Sequence, residues 1–185
     1  MRYEVTTPPA AEPVVATDFR NFHVGIFDSG KEAGLNELVK AVRQYYERTF
    51  DKAIITQTIT QYLDKWPDKT KIPLCVSPVA SITSLTYIKP DATTDTLVVD
   101  TDFYLVKNKT HAYLQLEENT SYPDIKNRPN AVTIVYAAGD SAANVSENIK
   151  QWIRMAVAKM HFDKESLETA VGNLDLILPE IKMYV

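Results

Sequence analysis

From Lys31 to Phe50 the apolar residues recur at three-and-four spacing, and directly after Asp51 that period disappears. Leu35, Leu38, Val39, Val42, Tyr45, Tyr46 and Phe50 mark one face of a helix, while Lys40, Arg43, Glu47 and Arg48 take the other. Ser29-Gly30-Lys31-Glu32 stands at its start with the Ser-x-x-Glu spacing of a capping box, in which each end satisfies an orphan backbone N–H. From Ala53 to Leu63 the chain turns rich in Ile and Thr, which suit a pleated, half-buried surface. The helical period returns only after Ser146. Two such helices are too few to build a bundle core alone, so helix and sheet must share the fold.

Pro67, Pro73, Pro78 and Pro90 break the middle of the chain into short strands. They are expected near Ile72 to Val76, Ser81 to Ile88, Thr96 to Val99, Phe103 to Val106, Ala112 to Leu116 and Val132 to Tyr136. With no crossover helices between them, an antiparallel sheet or small sandwich follows. Glu117 to Asn130, polar and containing Pro123 and Pro129, is the longest loop and a candidate interaction tip. Ser146 caps the second long helix, which is expected to run to Phe162 and to bury Ile149, Trp152, Ile153, Ala156, Val157 and Met160.

The flanks read more simply. Residues 1 to 15 are proline-rich and should be extended. A short helix is expected from Thr17 to Val24, capped by Thr17 or Asp18, with Phe19 and Phe22 inward. Gly172-Asn173 breaks the chain before a last short helix, Leu174 to Lys182. The sequence thus predicts an α+β fold: a helical core of two long amphipathic helices and short terminal ones, made from residues 1–52 and 137–185, with an antiparallel β insertion at 53–136.

The 185 residues are enough to bury a real core, and 45% hydrophobic with 24% charged residues is an ordinary globular balance. No apolar run approaches the ~18 residues of a membrane span, and the first residues lack the basic and apolar regions of a signal peptide. A cytosolic origin is the expectation, under which the sequons at Asn108, Asn119 and Asn144 carry no meaning. Cys75 stands alone, which excludes an internal disulfide or a cysteine-based metal site. Net charge is −4 with Lys and Arg scattered, so the phosphate-neutralising cluster that tight nucleic-acid binding needs is missing. The nearest group, Lys65 to Lys71, reads as a solvated turn.

Each trace of chemistry has a plainer reading. Gly139-Asp140-Ser141 is similar to the nucleophile turn of one esterase class, but His161 is the only downstream histidine and sits beside an apolar helix face. A strand-to-helix turn explains it better. His23, His111 and His161 fall on separate elements without the convergent spacing of a zinc site. Asp91, Asp95, Asp100 and Asp102 miss the calcium-loop template and suit turns. Five glycines supply no phosphate loop. The ten tyrosines and two tryptophans, lacking a basic groove, point to core and interface packing rather than base stacking. No catalytic residue, metal or cofactor is therefore expected. The alternative, a small enzyme or carbohydrate-binding module built on the strands, stays open at this level.

Thr7-Pro8-Pro9-Ala10-Ala11-Glu12-Pro13-Val14 followed by Phe22-His23-Val24 resembles the opening of tailed-phage head–tail connector (adaptor) proteins of the phiE125-type DNA-packaging family. The likeness continues in order through Glu47-Arg48-Thr49-Phe50 into Ala53–Thr58, Leu63-Asp64-Lys65-Trp66-Pro67, Ile72-Pro73-Leu74, Ser77–Tyr87 and Arg128–Val132 with Ala138-Gly139. It fades past Phe162, and His23-Val24-Gly25 and Ser146 depart from the family's basic helix ending and helix-start proline. The resemblance implies a non-enzymatic virion protein at the head–tail junction, assembled in the host cytoplasm. Copies would form a ring, typically a dodecamer, between portal and tail proteins, with DNA passing through unbound and no membrane involved. Under it, the helices Lys31–Phe50 and Ser146–Phe162 would form the ring core and the strands a platform. The apolar C-terminal segment would either dock on the portal through Leu174, Leu176, Ile177, Leu178, Ile181, Met183, Tyr184 and Val185 or pack on the chain's own core.

Overall fold

Six residues of the leader, Arg2–Thr7, form a strand, β1, that pairs antiparallel with β2, Gln57–Leu63. The computed structural model describes residues 2–22, 32–108 and 111–172. Strands β3 (Lys71–Pro73), β4 (Val79–Ile88), β5 (Thr94–Leu97), β6 (Phe103–Lys107), β7 (Ala112–Leu116) and β8 (Val132–Ala138) follow. They make a five-stranded sheet, ordered β1-β2-β8-β4-β5, and a three-stranded one, ordered β3-β7-β6, antiparallel throughout. The described residues divide between two compact units, Met1–Ala10 with Thr56–Gly139 and Ala11–Ile55 with Asp140–Val185.

The β unit is built on alternation. Val132, Ile134, Tyr136 and Ala138 of the central strand β8 are fully buried at every second position, as a strand with one inward face requires. The register sets Ile59, Gln61 and Leu63 of β2 beside them on one side and Leu85 and Tyr87 of β4 on the other. Two polar side chains on this inner face then tie it to the segment that carries β3. Gln61, wholly buried, donates through Nε2 to the Pro73 carbonyl at 2.9 Å and accepts the Cys75 N–H at 2.9 Å. The Tyr136 hydroxyl accepts the Val76 N–H at 3.0 Å, and burial raises its pKa far above the ordinary phenol value.

The second unit holds α1 (Ala16–Phe22), α2 (Glu32–Phe50), α3 (Glu147–Ala158) and α4 (Leu167–Gly172). Its core gathers Val14, Phe19, Leu35, Val39, Val42, Tyr46, Trp152, Ile153, Ala156 and Val157, with Trp152 edge-on to Tyr46 at 5.5 Å between ring centroids. Ser146 caps α3 by accepting the Asn148 N–H, as its sequence position suggests. The helix ends at Ala158 and passes into a single π-helical turn, Lys159–Asp163, before Lys164 leaves in the left-handed conformation. Asp51 ends α2 the same way, at φ 49°.

The fold-class expectation is corrected. Among the described residues, eight strands in two antiparallel sheets stand beside four α-helices of which only α2 exceeds twelve residues, and these residues form no helical core of two long helices bearing a β insertion. The reason lies at both ends of the pattern. The leader contributes an edge strand, so the sheet draws on residues from before the helices as well as between them. The second helix is α-helical only to Ala158 and continues as the π turn. The strand positions themselves agree with the sequence to within a few residues, while α4 was not expected. The capping residues Ser29 to Lys31 and the terminal helix expected from Leu174 lie outside the described residues.

Arg43 is a second correction. It belongs to the polar face by period, yet it is 3% exposed. Glu12 of the leader holds it by a two-pronged contact, Nε to Oε2 at 2.6 Å and Nη2 to Oε1 at 2.9 Å, and Glu47 one turn on takes Nη1. Burial alone would lower the guanidinium pKa; the bond to Glu12 and the charge of Glu47 outweigh it and raise it. Removing one partner of a buried ion pair leaves the others uncompensated, at about 3–5 kcal/mol. Arg43→Met is therefore expected to lower unfolding free energy by about 3 kcal/mol, read by urea denaturation. Tyr136→Phe, which strands the buried Val76 N–H, is expected to lose about 1–3 kcal/mol in the same assay.

Candidate functional site

The loop expected to be an interaction tip is fastened down. Trp66 donates its indole N–H to the Pro123 carbonyl at 2.8 Å and stacks on Tyr122, with ring centroids 4.7 Å apart and planes 8° from parallel. The Tyr122 hydroxyl reaches the Lys69 carbonyl at 3.2 Å, the Lys126 N–H bonds to the Ile88 carbonyl at 2.8 Å, and Asp64 accepts the Asn130 N–H at 2.7 Å. Four anchors over this stretch make Glu117–Asn130 a strap across the β unit. Nothing in its polar composition announced this, although Trp66 next to Pro67 in a turn was the available signal.

Beside the strap an open groove of about 590 Å³ is lined by Arg2, Tyr62, Trp66, Ile72, Pro73 and Pro129, among others. Arg2 lies over the Tyr62 ring at 4.9 Å, and the Tyr62 hydroxyl donates to Glu4 at 2.6 Å. That bond, with some burial, raises the Tyr62 pKa, so the phenol stays protonated and neutral. The groove offers aromatic and proline surface, with Arg2, Lys65 and Asp64 also in its lining. It can hold an extended chain or a neighbour's loop, and it presents no activated nucleophile.

The residues singled out for chemistry have structural duties. Asp91 accepts from the Thr93 N–H and hydroxyl, Asp95 from the Thr96 N–H and Lys89, and Asp102 from the Val98 N–H. These are turn contacts, and they hold Asp91 and Asp95 below the usual carboxylate pKa. Among the described residues no group of three or more His, Cys, Asp or Glu side chains is placed to hold a metal ion. Gly139 adopts φ 95° and donates to the Pro78 carbonyl, Asp140 donates to the Ile54 carbonyl, and the Ser141 carbonyl accepts the Asn144 N–H. The triplet is thus a strand exit and a turn toward α3. His161 sits in the π turn, and His23 lies outside the described residues. The candidate docking residues Leu174, Leu176, Ile177, Leu178, Ile181, Met183, Tyr184 and Val185 also lie outside them. Among the described residues no helix is long and apolar enough to cross a membrane.

No protein-family model matches the chain, and no curated protein does. Solved structures do. A chain from the neck of an empty gene transfer agent (GTA) particle, computed with C6 symmetry, aligns with a TM-score of 0.76 at 16% identity over 94% of both chains. One from the neck of a native GTA particle, computed with C12 symmetry, gives 0.73 at 16% identity, again over 94% of both. A chain from the virion of a native GTA particle gives 0.74 at 18% identity, over 87% of this chain and 84% of that one. At these identities the likeness is one of fold. The protein shares the fold of components of phage-like particle necks.

The strap yields its own prediction. Trp66→Leu removes an indole hydrogen bond and an aromatic stack, together worth about 1.5 kcal/mol of local closure. Amide exchange at Lys126 is expected to speed up about tenfold relative to Ile134, measured by hydrogen–deuterium exchange.

Proposed function

We propose that this chain is a structural subunit of a phage-like particle, a head-to-tail adaptor whose copies close into a ring between portal and tail and continue the DNA channel. The observation that carries the reading is the fold shared over 94% of both chains with neck components of GTA particles. The ordered sequence resemblance to phage connectors supports it independently. So does the physics of assembly: a head-to-tail contact repeated with a fixed rotation closes into a ring. Each subunit brings a net charge of −4, and a ring of such copies offers passing DNA no counterion-release gain. The chain's task is to fit its neighbours rather than to turn over a substrate.

The C-terminal segment completes this reading. Leu174, Ile177, Leu178 and Ile181 repeat at helical spacing, and with Leu176, Met183, Tyr184 and Val185 they give a short apolar segment suited to docking on the portal.

Negative-stain microscopy of the purified chain, alone and mixed with its portal protein, tests the ring. Annular particles with a central channel are expected; single copies in both samples would contradict it. Deleting Leu174–Val185 is expected to abolish portal capture in a pull-down while annular particles persist. Undiminished capture would remove the docking assignment.

A further inference from the structure

Among the described residues five large apolar side chains stand well exposed, and four of them lie at opposite edges of the β unit. Val5 (47% exposed) is on β1 at one end of the five-stranded sheet. Val98 (53%) and Val99 (40%) follow β5 at the other end, and Tyr104 (42%) is on β6, at the edge of the smaller sheet. Val5 is the more telling. Its cross-strand neighbour Ile59 is wholly buried, so Val5 stands on the sheet's inward side, where its own chain leaves it uncovered.

The charges at the two edges are complementary. Arg2 on β1 makes no ion pair among the described residues; its contacts are with the ring and the hydroxyl of Tyr62. Glu4 on the same strand is engaged by the Tyr62 hydroxyl. Across the sheet, Asp91, Asp95, Asp100 and Asp102 fall along the β5–β6 rim, where Lys89 is paired with Asp95 and the Lys107 ammonium on β6 is bonded to the Ala80 carbonyl. The Asp100 carboxylate has no hydrogen-bond or ion-pair partner among the described residues. Both β1 and β5 also carry open backbone edges, which soluble proteins normally blunt or pair.

We infer that the β1 edge of one copy docks on the β5–β6 rim of the next, Val5 against Val98 and Val99 with Arg2 facing Asp100. The occupant is a second copy because both halves of the match are on one chain, at opposite ends of one sheet. That is the arrangement a head-to-tail contact needs, and two-fold pairing of like edges would set like residues together. The inference rests on the ring proposed above and names the surface that builds it.

Paired cysteines test it. In a Cys75→Ser background, Val5→Cys combined with Val98→Cys is expected to give, on oxidation of assembled rings, a ladder of covalent multimers on a non-reducing denaturing gel. Either cysteine alone should leave monomers. Intact rings without the ladder, or dimers from Val5→Cys alone, overturn the edge contact and leave the ring standing. Single copies from the unsubstituted chain overturn the ring and the contact together. As a second probe, Val5→Asp is expected to abolish rings at an unchanged melting temperature, while Val15→Asp, the fifth exposed apolar position, does not. Rings that persist in Val5→Asp overturn the contact.

Discussion

The Arg43 guanidinium organises the chain's path. The chain passes between its two units three times, after Ala10, after Ile55 and after Gly139. In the helical unit, each passage begins or ends at a group reached from Arg43. Glu12, just after the first, chelates the guanidinium; Glu47 shares it and accepts the Ile54 N–H at 2.9 Å, just before the second. The Ile54 carbonyl in turn accepts the Asp140 N–H, just after the third. Within the helical unit, charge-assisted bonds, which are shorter and stronger than neutral ones, thus tie the segments at Glu12 and Ile54 to Arg43 and Glu47, and a backbone bond adds the segment at Asp140. Such an arrangement is costly to desolvate, and loss of one partner leaves the others uncompensated.

What the sequence disclosed, and what it hid, follows from the range of the interactions involved. Helices α2 and α3 were legible because a helix face is written within one turn of itself, and Leu35, Val39, Trp152 and Ile153 are buried as their spacing implies. Strand positions were legible for the same local reason: β-rich runs sit between prolines and turn-forming aspartates. Apart from the π turn after Ala158 and α4, which are local, the misses depend on partners far away in sequence. Arg43 looks solvent-facing until Glu12, 31 residues earlier, is brought to it. The leader looks like an extended arm until β2 offers it an edge more than fifty residues on. That pairing also overturned the expected helical core with an inserted sheet. The polar loop after Glu117 looks free until Trp66, 57 residues before Pro123, takes hold of it.

Function sits one level further from local pattern. Turn contacts absorb Asp91, Asp95 and Asp102, a strand exit absorbs Gly139-Asp140-Ser141, and the groove beside Trp66 offers surface without an activated group. Surface features therefore carry the meaning: an inward-facing valine left bare at one sheet edge, bare valines among carboxylates at the other. Interfaces between copies are built from such apolar patches with polar rims. A head-to-tail match of this kind has only two outcomes, a closed ring when the rotation per copy divides the circle and an open fibre when it does not. The ring proposed above is the closed outcome.

Native mass spectrometry of the assembly separates those outcomes most directly. Closure predicts one dominant species, a fixed whole-number multiple of the 20.9 kDa chain, whose copy number does not grow with protein concentration. A mass distribution that lengthens with concentration, or a single copy at every concentration, would contradict it.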